Sequence, residues 1–186
     1  MKGLDEVDKK ILNSLCQNPE MSQVELSERL KISQPAVSAR IHRLKEAGIL
    51  AYMIGADIKK TQLFLAKIDI VTIDTEHVIG LFEACPLYLN SFLTSGKYNL
   101  TILLMGENMR SIVSCVESHL RKDPLIKDME FSLVVTPTRE FIVPIKPILE
   151  KKKITPCGND CSNCTFYKND RCLGCPASIN YKGSIF

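Results

Sequence analysis

Between Ser22 and Gly48 the chain carries two helix starts and one helix stop in close succession, which leaves the backbone little choice. Ser22 and Glu25 form an S-x-x-E capping box, in which each side chain reaches the other residue's amide. Leu26 and Leu30 follow at helical spacing, and Lys31-Ile32 is too short to be anything but a turn. Ser33 is a second N-cap, with Pro35 in the first turn where its missing N–H costs nothing. Val37, Ile41 and Leu44 make the buried stripe of this second helix, and Gly48 stops it. Two short helices joined this closely, the second one basic, form a helix-turn-helix suited to a DNA major groove.

At about 100° per residue, Pro35, Ser38, Ala39, His42 and Arg43 lie opposite the apolar stripe, with Arg40 on its flank and Gln34 near the start. Ser33, Gln34, Ser38, Arg40, His42 and Arg43 are therefore the candidate DNA-binding residues, because these side chains donate to base edges or phosphates. A merely solvated polar face is the competing reading, and the paired caps and basic sign weigh against it.

The chain has 186 residues, enough for a large domain or two small ones, and no apolar run spans a membrane. Met1-Lys2-Gly3 leads straight into a charged helix rather than a signal peptide, so a cytoplasmic location is expected. Net charge is +3 but uneven: residues 1–60 carry ten basic and eight acidic groups, 61–140 seven and ten, and 141–186 seven and three. The acidic middle argues against a nucleic-acid surface there.

Leu4 to Cys16 is amphipathic and completes a three-helix set. The apolar run from Ile49 to Asp57 suits a wing or an interdomain strand. From Leu63 the pattern alternates as strand 63–72, helix 76–85, strand 87–94, strand 98–105, helix 108–121 and strand 126–136. That β-α-β-β-α-β order defines a ferredoxin-like unit with one sheet face uncovered, which invites dimerisation. The fold class expected is α+β: a winged helix-turn-helix domain over 1–60, a βαββαβ domain over 61–140, a linker over 141–156 and a cysteine-rich segment over 157–186. The linker carries three prolines and a Lys151-Lys152-Lys153 run, read as a solvated charge run.

Leu4-Asp5-x-x-Asp8-x-x-Ile11-Leu12, the helix-turn-helix ending Arg40-Ile41-x-x-Leu44-x-x-x-Gly48-Ile49, and the Ser95-Gly96-Lys97-Tyr98 turn together resemble the Lrp/AsnC (feast/famine) transcriptional regulators. The resemblance covers about residues 4–140. It implies a DNA reader joined to a ligand-sensing domain, a homodimer paired through its sheets, and further stacking into octamers. It also implies an amino-acid effector near the turn between the second and third strands, where Gly96, Tyr98 and Asn99 match. Asn99 stands where the family usually has Asp, which puts amino-acid sensing in question; a plain hairpin turn is the alternative.

Five cysteines crowd the C-terminal end of the sequence: Cys157, Cys161, Cys164, Cys172 and Cys175. Their surroundings are so polar that the segment needs a metal to fold. Two C-x-x-C pairs can converge on one centre. Zinc would take Cys161, Cys164, Cys172 and Cys175, leaving Cys157 spare. A [4Fe–4S] cluster also takes four thiolates, and a terminal Cys-Pro recurs in cluster-binding runs. The pattern C-x-x-C-x-x-Tyr…C-x-G-C-P-A resembles auxiliary iron–sulfur domains, and we expect [4Fe–4S], with zinc the alternative. Cys16, Cys85 and Cys115 sit in helical patterns and are read as small core or near-core residues.

The expected function is a redox- or iron–sulfur-responsive DNA-binding regulator. Its rival is an enzyme resembling sirohaem decarboxylases, whose pattern includes a tripeptide like Tyr98-Asn99-Leu100. Those enzymes place a catalytic histidine just before it, where this chain has Ser95-Gly96-Lys97. An electron-transfer module is a third reading, and it leaves the recognition helix without a role.

Overall fold

A computed structural model describes residues 3–146 and 148–184. Met1, Lys2, Pro147 of the linker, and Ile185 and Phe186 of the cysteine-rich segment lie outside the described residues. The chain divides into two compact units, 1–53 and 54–186. No helix among the described residues is long and apolar enough to cross a membrane.

The first unit is three helices: α1 (Glu6–Gln17), α2 (Gln23–Leu30) and α3 (Gln34–Glu46). Each begins where a side chain satisfies its free amides. Asp5 and Asp8 form a reciprocal capping box on α1, Ser22 and Glu25 do the same on α2, and Ser33 caps α3. Lys31 adopts a left-handed conformation (φ 55°) to end α2. Ile11, Leu15, Leu26, Val37, Ile41 and Leu44 close into one core, with Leu4, Met21, Ile32 and Leu50 at its edge.

In the second unit β2 (Phe64–Thr72), β3 (Tyr88–Leu93), β4 (Leu100–Gly106) and β5 (Ile126–Val134) form an antiparallel sheet of order β3-β4-β2-β5. Helices α5 (Thr75–Gly80) and α6 (Met109–His119) cover one face. Alternation puts Ala66, Ile68 and Ile70 of β2 and Leu100, Ile102 and Leu104 of β4 against Val78, Phe82, Ile112, Val116 and Leu120. On the other face, Lys67 pairs with Asp69 at 2.8 Å, and Thr101 donates a 2.6 Å hydrogen bond to Asp69. This is the α+β, ferredoxin-like arrangement expected from the strand and helix order.

Two stretches differ from their sequence reading. No strand forms over residues 49–55; only β1 (Ala56–Asp57) is paired, with β6 (Ile142–Val143). Gly55 has no room for a side chain there, since a Cβ would sit 2.3 Å from the Val143 carbonyl oxygen. The stretch read as a linker is anchored: Phe141, Val143, Ile145 and Leu149 pack with Ile58, Leu63, Leu65 and Met105 in a third apolar cluster. Its proline spacing hides that anchoring, because the apolar residues between the prolines follow no helical or strand period. A short helix α4 (Ile58–Thr61) joins β1 to β2.

Candidate functional site

In the reader unit α3 is fixed by charge as well as by its apolar stripe. Asp8 of α1 is fully buried. Arg40 Nη1 donates to Asp8 Oδ1 at 2.7 Å and to Asp5 Oδ2 at 2.6 Å, while Arg43 Nη2 pairs with the other Asp8 oxygen. A buried carboxylate needs partners of this kind, and one acid shared between two guanidiniums ties α1 to α3. The Asp8 amide and the Arg40 guanidinium hold the Asp5 carboxyl below its usual range. Of the other candidate residues, Ser33 accepts from the Ala36 amide, and Gln34 donates to Gln23 at 3.0 Å. His42 lies exposed, 3.4 Å from Glu46, and Ser38 is half-buried. Pro35 and Ala39 are exposed, and Lys45 lies over the Tyr52 ring.

The β3–β4 turn has Gly96 at φ +124°, a conformation other residues rarely adopt. Tyr98 donates to Glu130 at 2.9 Å and accepts from Lys97, which also pairs with Asp128. Asn99 is fully engaged: its Oδ1 accepts from the Thr72 amide at 3.0 Å, and its Nδ2 donates to the Thr72 carbonyl at 2.7 Å. This clamp sits where the β2–β5 pairing slips register, between Val71 and Thr72.

The C-terminal segment folds around sulfur. A short 3₁₀ turn (Cys161–Asn163) capped by Asp160 leads into α7 (Thr165–Lys168), and Gly174 (φ +87°) forms the second knuckle. All five of its cysteines line one cavity of about 80 Å³. Cys85 and Cys115 of the βαββαβ body line the same cavity, so seven of the chain's eight cysteines meet there; Cys16 is exposed on α1. Backbone amides point at the sulfurs: Gly174 donates to Cys172 Sγ at 3.3 Å and Cys175 to Cys161 Sγ at 3.5 Å. Burial pushes the Cys157 thiol up, but hydrogen bonds with His119 and Thr155 outweigh it and leave it at about 6. That same contact with Cys157 raises His119. Burial drives Cys175 up to about 12. Cys115 and Cys85 share a hydrogen bond that lowers Cys85 and raises Cys115.

Residues 4–51 match the family model for a winged helix-turn-helix DNA-binding domain. LrpC, an HTH-type transcriptional regulator of Bacillus subtilis, is 32% identical over 113 residues, spanning 59% of this chain and 78% of LrpC. The transcriptional regulator AzlB of the same organism is 28% identical over 150 residues, 76% of this chain and 96% of AzlB. The solved structure of Escherichia coli AsnC superposes with a TM-score of 0.65 at 19% identity, covering 74% of this chain and 96% of AsnC. The chain belongs to the Lrp/AsnC family of transcriptional regulators. It is a DNA-binding regulator, and because these relatives are regulators rather than enzymes, the decarboxylase alternative falls away.

About three-quarters of this Lrp/AsnC regulator accounts for nearly the whole of AzlB and AsnC, so a quarter of it has no counterpart in them. Of the candidate residues, the structure brings the five C-terminal cysteines together and ties Arg40 and Arg43 back to Asp8. Cys85 and Cys115 pack against the core, as the sequence reading has it, and in addition line the thiol cavity, whereas Cys16, read the same way, is exposed. His119 joins them there. One signal for this lay in α6: Ser111, Ser114, Cys115 and Ser118, at i, i+3, i+4 and i+7, form a helix face without a single large apolar side chain. Such a face suits a polar or sulfur-rich neighbour rather than a core.

Proposed function

We propose that this Lrp/AsnC regulator holds a [4Fe–4S] cluster in its thiol cavity and changes its operator affinity with the state of that cluster. The observation that carries this is seven thiols around one cavity, with backbone amides aimed at sulfur. Such N–H···S contacts are among the levers that set the potential of iron–sulfur centres. Thiols dominate the donor set, with His119 beside them, and the cavity of about 80 Å³ is several times what one water needs, about 10–15 Å³. Among the described residues no three His, Cys, Asp or Glu side chains close on a single ion.

When bound, the cluster supplies one-electron chemistry and an anionic charge. The chain's own residues supply the coupling. Thiolates from among Cys157, Cys161, Cys164, Cys172 and Cys175 hold the centre. Leu173 donates to Ser111 Oγ, and Ser114 donates to the Arg171 carbonyl, so the segment is laid along α6. Ordering or releasing it is a two-state element of the kind regulators use. A coupling of about 1–3 kcal/mol would change operator occupancy roughly 5- to 150-fold.

On the DNA side, α3 enters the major groove with Gln34, Ser38, Ala39 and His42 toward the bases. Arg43 and Lys45 lie toward phosphate, and Arg40 positions the helix. The uncovered sheet face, bearing Lys67, Asp69, Thr101 and Phe92, forms the homodimer. The Gly96 turn with Tyr98 is the place for a small-molecule effector at a higher-order contact, such as that of an octamer. The test is purification without oxygen, a visible spectrum with iron and sulfide analysis, then operator titration before and after exposure to air. A brown protein whose affinity shifts at least fivefold supports the proposal. A colourless zinc protein indifferent to oxidants defeats it.

A further inference from the structure

We propose that the metal centre is bipartite: the Cys85–Cys115 pair of the βαββαβ body supplies a thiolate to the centre that the C-terminal cysteines hold, so the metal staples the segment to α6. This rests on the thiol cavity being a metal site. Cys85 follows α5, just before Pro86, and Cys115 lies mid-α6; the two are distant from each other in sequence, and each is distant from Cys157. Nothing local brings them together. The fold nevertheless places both on the wall of the cavity, in hydrogen-bond contact with each other.

The alternative is that the two thiols are small apolar fillers. Their setting argues otherwise. The α6 face around Cys115 is Ser111, Ser114 and Ser118, and two of these serines are already hydrogen-bonded to the C-terminal segment. Cys115 packs against the core on one side and on the other lines the cavity that the C-terminal thiols share. Asn159 Nδ2 approaches both Cys157 Sγ and His119 Nε2 at 3.4 Å, joining loop and helix at the far end of the same face. At the near end, the Ser184 amide donates to Glu107 at 2.8 Å. Near Glu107 the segment is held by Ser184 and by Tyr181, which packs into the third apolar cluster, and the thiol-lined cavity lies between these contacts and Asn159.

Polar clips of this kind are individually weak, about 0.5–1.5 kcal/mol each. A metal bridging body and segment replaces several weak contacts with one strong link, and makes the position of α6 depend on the centre. A centre held by the segment's cysteines alone would fold the segment but leave α6 indifferent.

The experiment uses the full chain, purified without oxygen, as wild type and as the Cys85→Val/Cys115→Val double variant. Valine fills the same space, so a packing role is preserved while ligation is lost. A Cys85→Ser/Cys115→Ser variant keeps a weak oxygen donor and serves as partial rescue. Circular dichroism and gel filtration confirm that each variant is folded. The readouts are metal and sulfide per chain, the electron paramagnetic resonance spectrum after reduction, and the rate of tryptic cleavage at Lys151–Lys153. The expected result is loss of at least half the metal in the valine variant, with cleavage faster by tenfold or more. The serine variant should retain more metal with an altered spectrum. Wild-type metal content, spectrum and cleavage rate in the valine variant would overturn the bipartite site while leaving a C-terminal centre standing. A wild type that holds zinc would overturn the iron–sulfur reading alone, and loss of that zinc from the valine variant would still support the bipartite site. A wild type with no metal would overturn both.

Discussion

The reader unit and the C-terminal segment are held together by opposite means. In the reader, six fully or nearly fully buried side chains form one core, and deleting one such side chain typically costs about 2–5 kcal/mol, a large part of a small domain's stability. In the segment from 150 to 184, the buried hydrophobic side chains are only Cys161 and Ala177. Its order comes from the Thr155–Asn159 clasp, the Asp160 cap, the α6 serines, the thiols and one half-buried ring, Tyr181, in the third apolar cluster. The first kind of structure persists as long as it is in water. The second has little apolar burial of its own, so its order would follow the occupancy of the proposed centre.

The sharpest way to break this comparison is to treat the full chain with a chelator under oxidising conditions, which would remove the proposed centre, and follow amide hydrogen exchange. Protection over residues 150–184 should fall by about 100-fold or more, while α1, α2 and α3 stay unchanged. Equal loss in the helices would mean that the two regions share one stability.

The next test works on the reader alone. Asp8→Asn keeps the shape of the buried group but removes the charge shared by Arg40 and Arg43. The expected cost is about 1.5–3 kcal/mol, read in urea denaturation of the reader, with metal content unchanged. Arg43→Ala should cost less stability than Asp8→Asn. If it leaves operator binding untouched as well, that arginine belongs to the scaffold alone.

The smallest expected effect lies in the body. His77 Nε2 sits 2.8 Å from Asp123, and with the Leu125 amide it holds the Asp123 carboxyl below its ordinary range. A carboxyl lowered in the folded state adds stability above its unfolded value, and that contribution is lost as pH falls below it. Asp123→Asn should therefore lower stability by about 0.2–1 kcal/mol in the neutral range and leave the acid end nearly unchanged, which flattens the acid limb. A steeper acid limb in the variant would reverse the assigned sign.

What could be seen in advance follows the same division. The caps at Ser22 and Ser33, the Val37/Ile41/Leu44 stripe and the alternation of β2 and β4 are local, so they were legible in the sequence. The five C-terminal cysteines were legible because their spacing is short. Cys85 and Cys115 were hidden because only tertiary docking brings them to the others. Arg40 and Arg43 looked like free donors on a polar face. Their partner Asp8 lies two helices earlier in the chain, and its burial exists only once α1 and α3 have met. The anchoring of Ile145 and Leu149 was obscured by the prolines around them.

At position 99, one atom decides how the strand end behaves. The side-chain amide of Asn99 offers an acceptor to the Thr72 N–H and a donor to the Thr72 carbonyl, so it mimics a peptide group where the sheet slips register. The aspartate usual in the family could serve the N–H but would set a second anionic oxygen against the carbonyl, and that side chain would turn outward, free to meet a ligand. Asparagine converts this potential binding arm into a rivet. Restoring the aspartate would loosen the end of β2 at the same time as it exposed a charge.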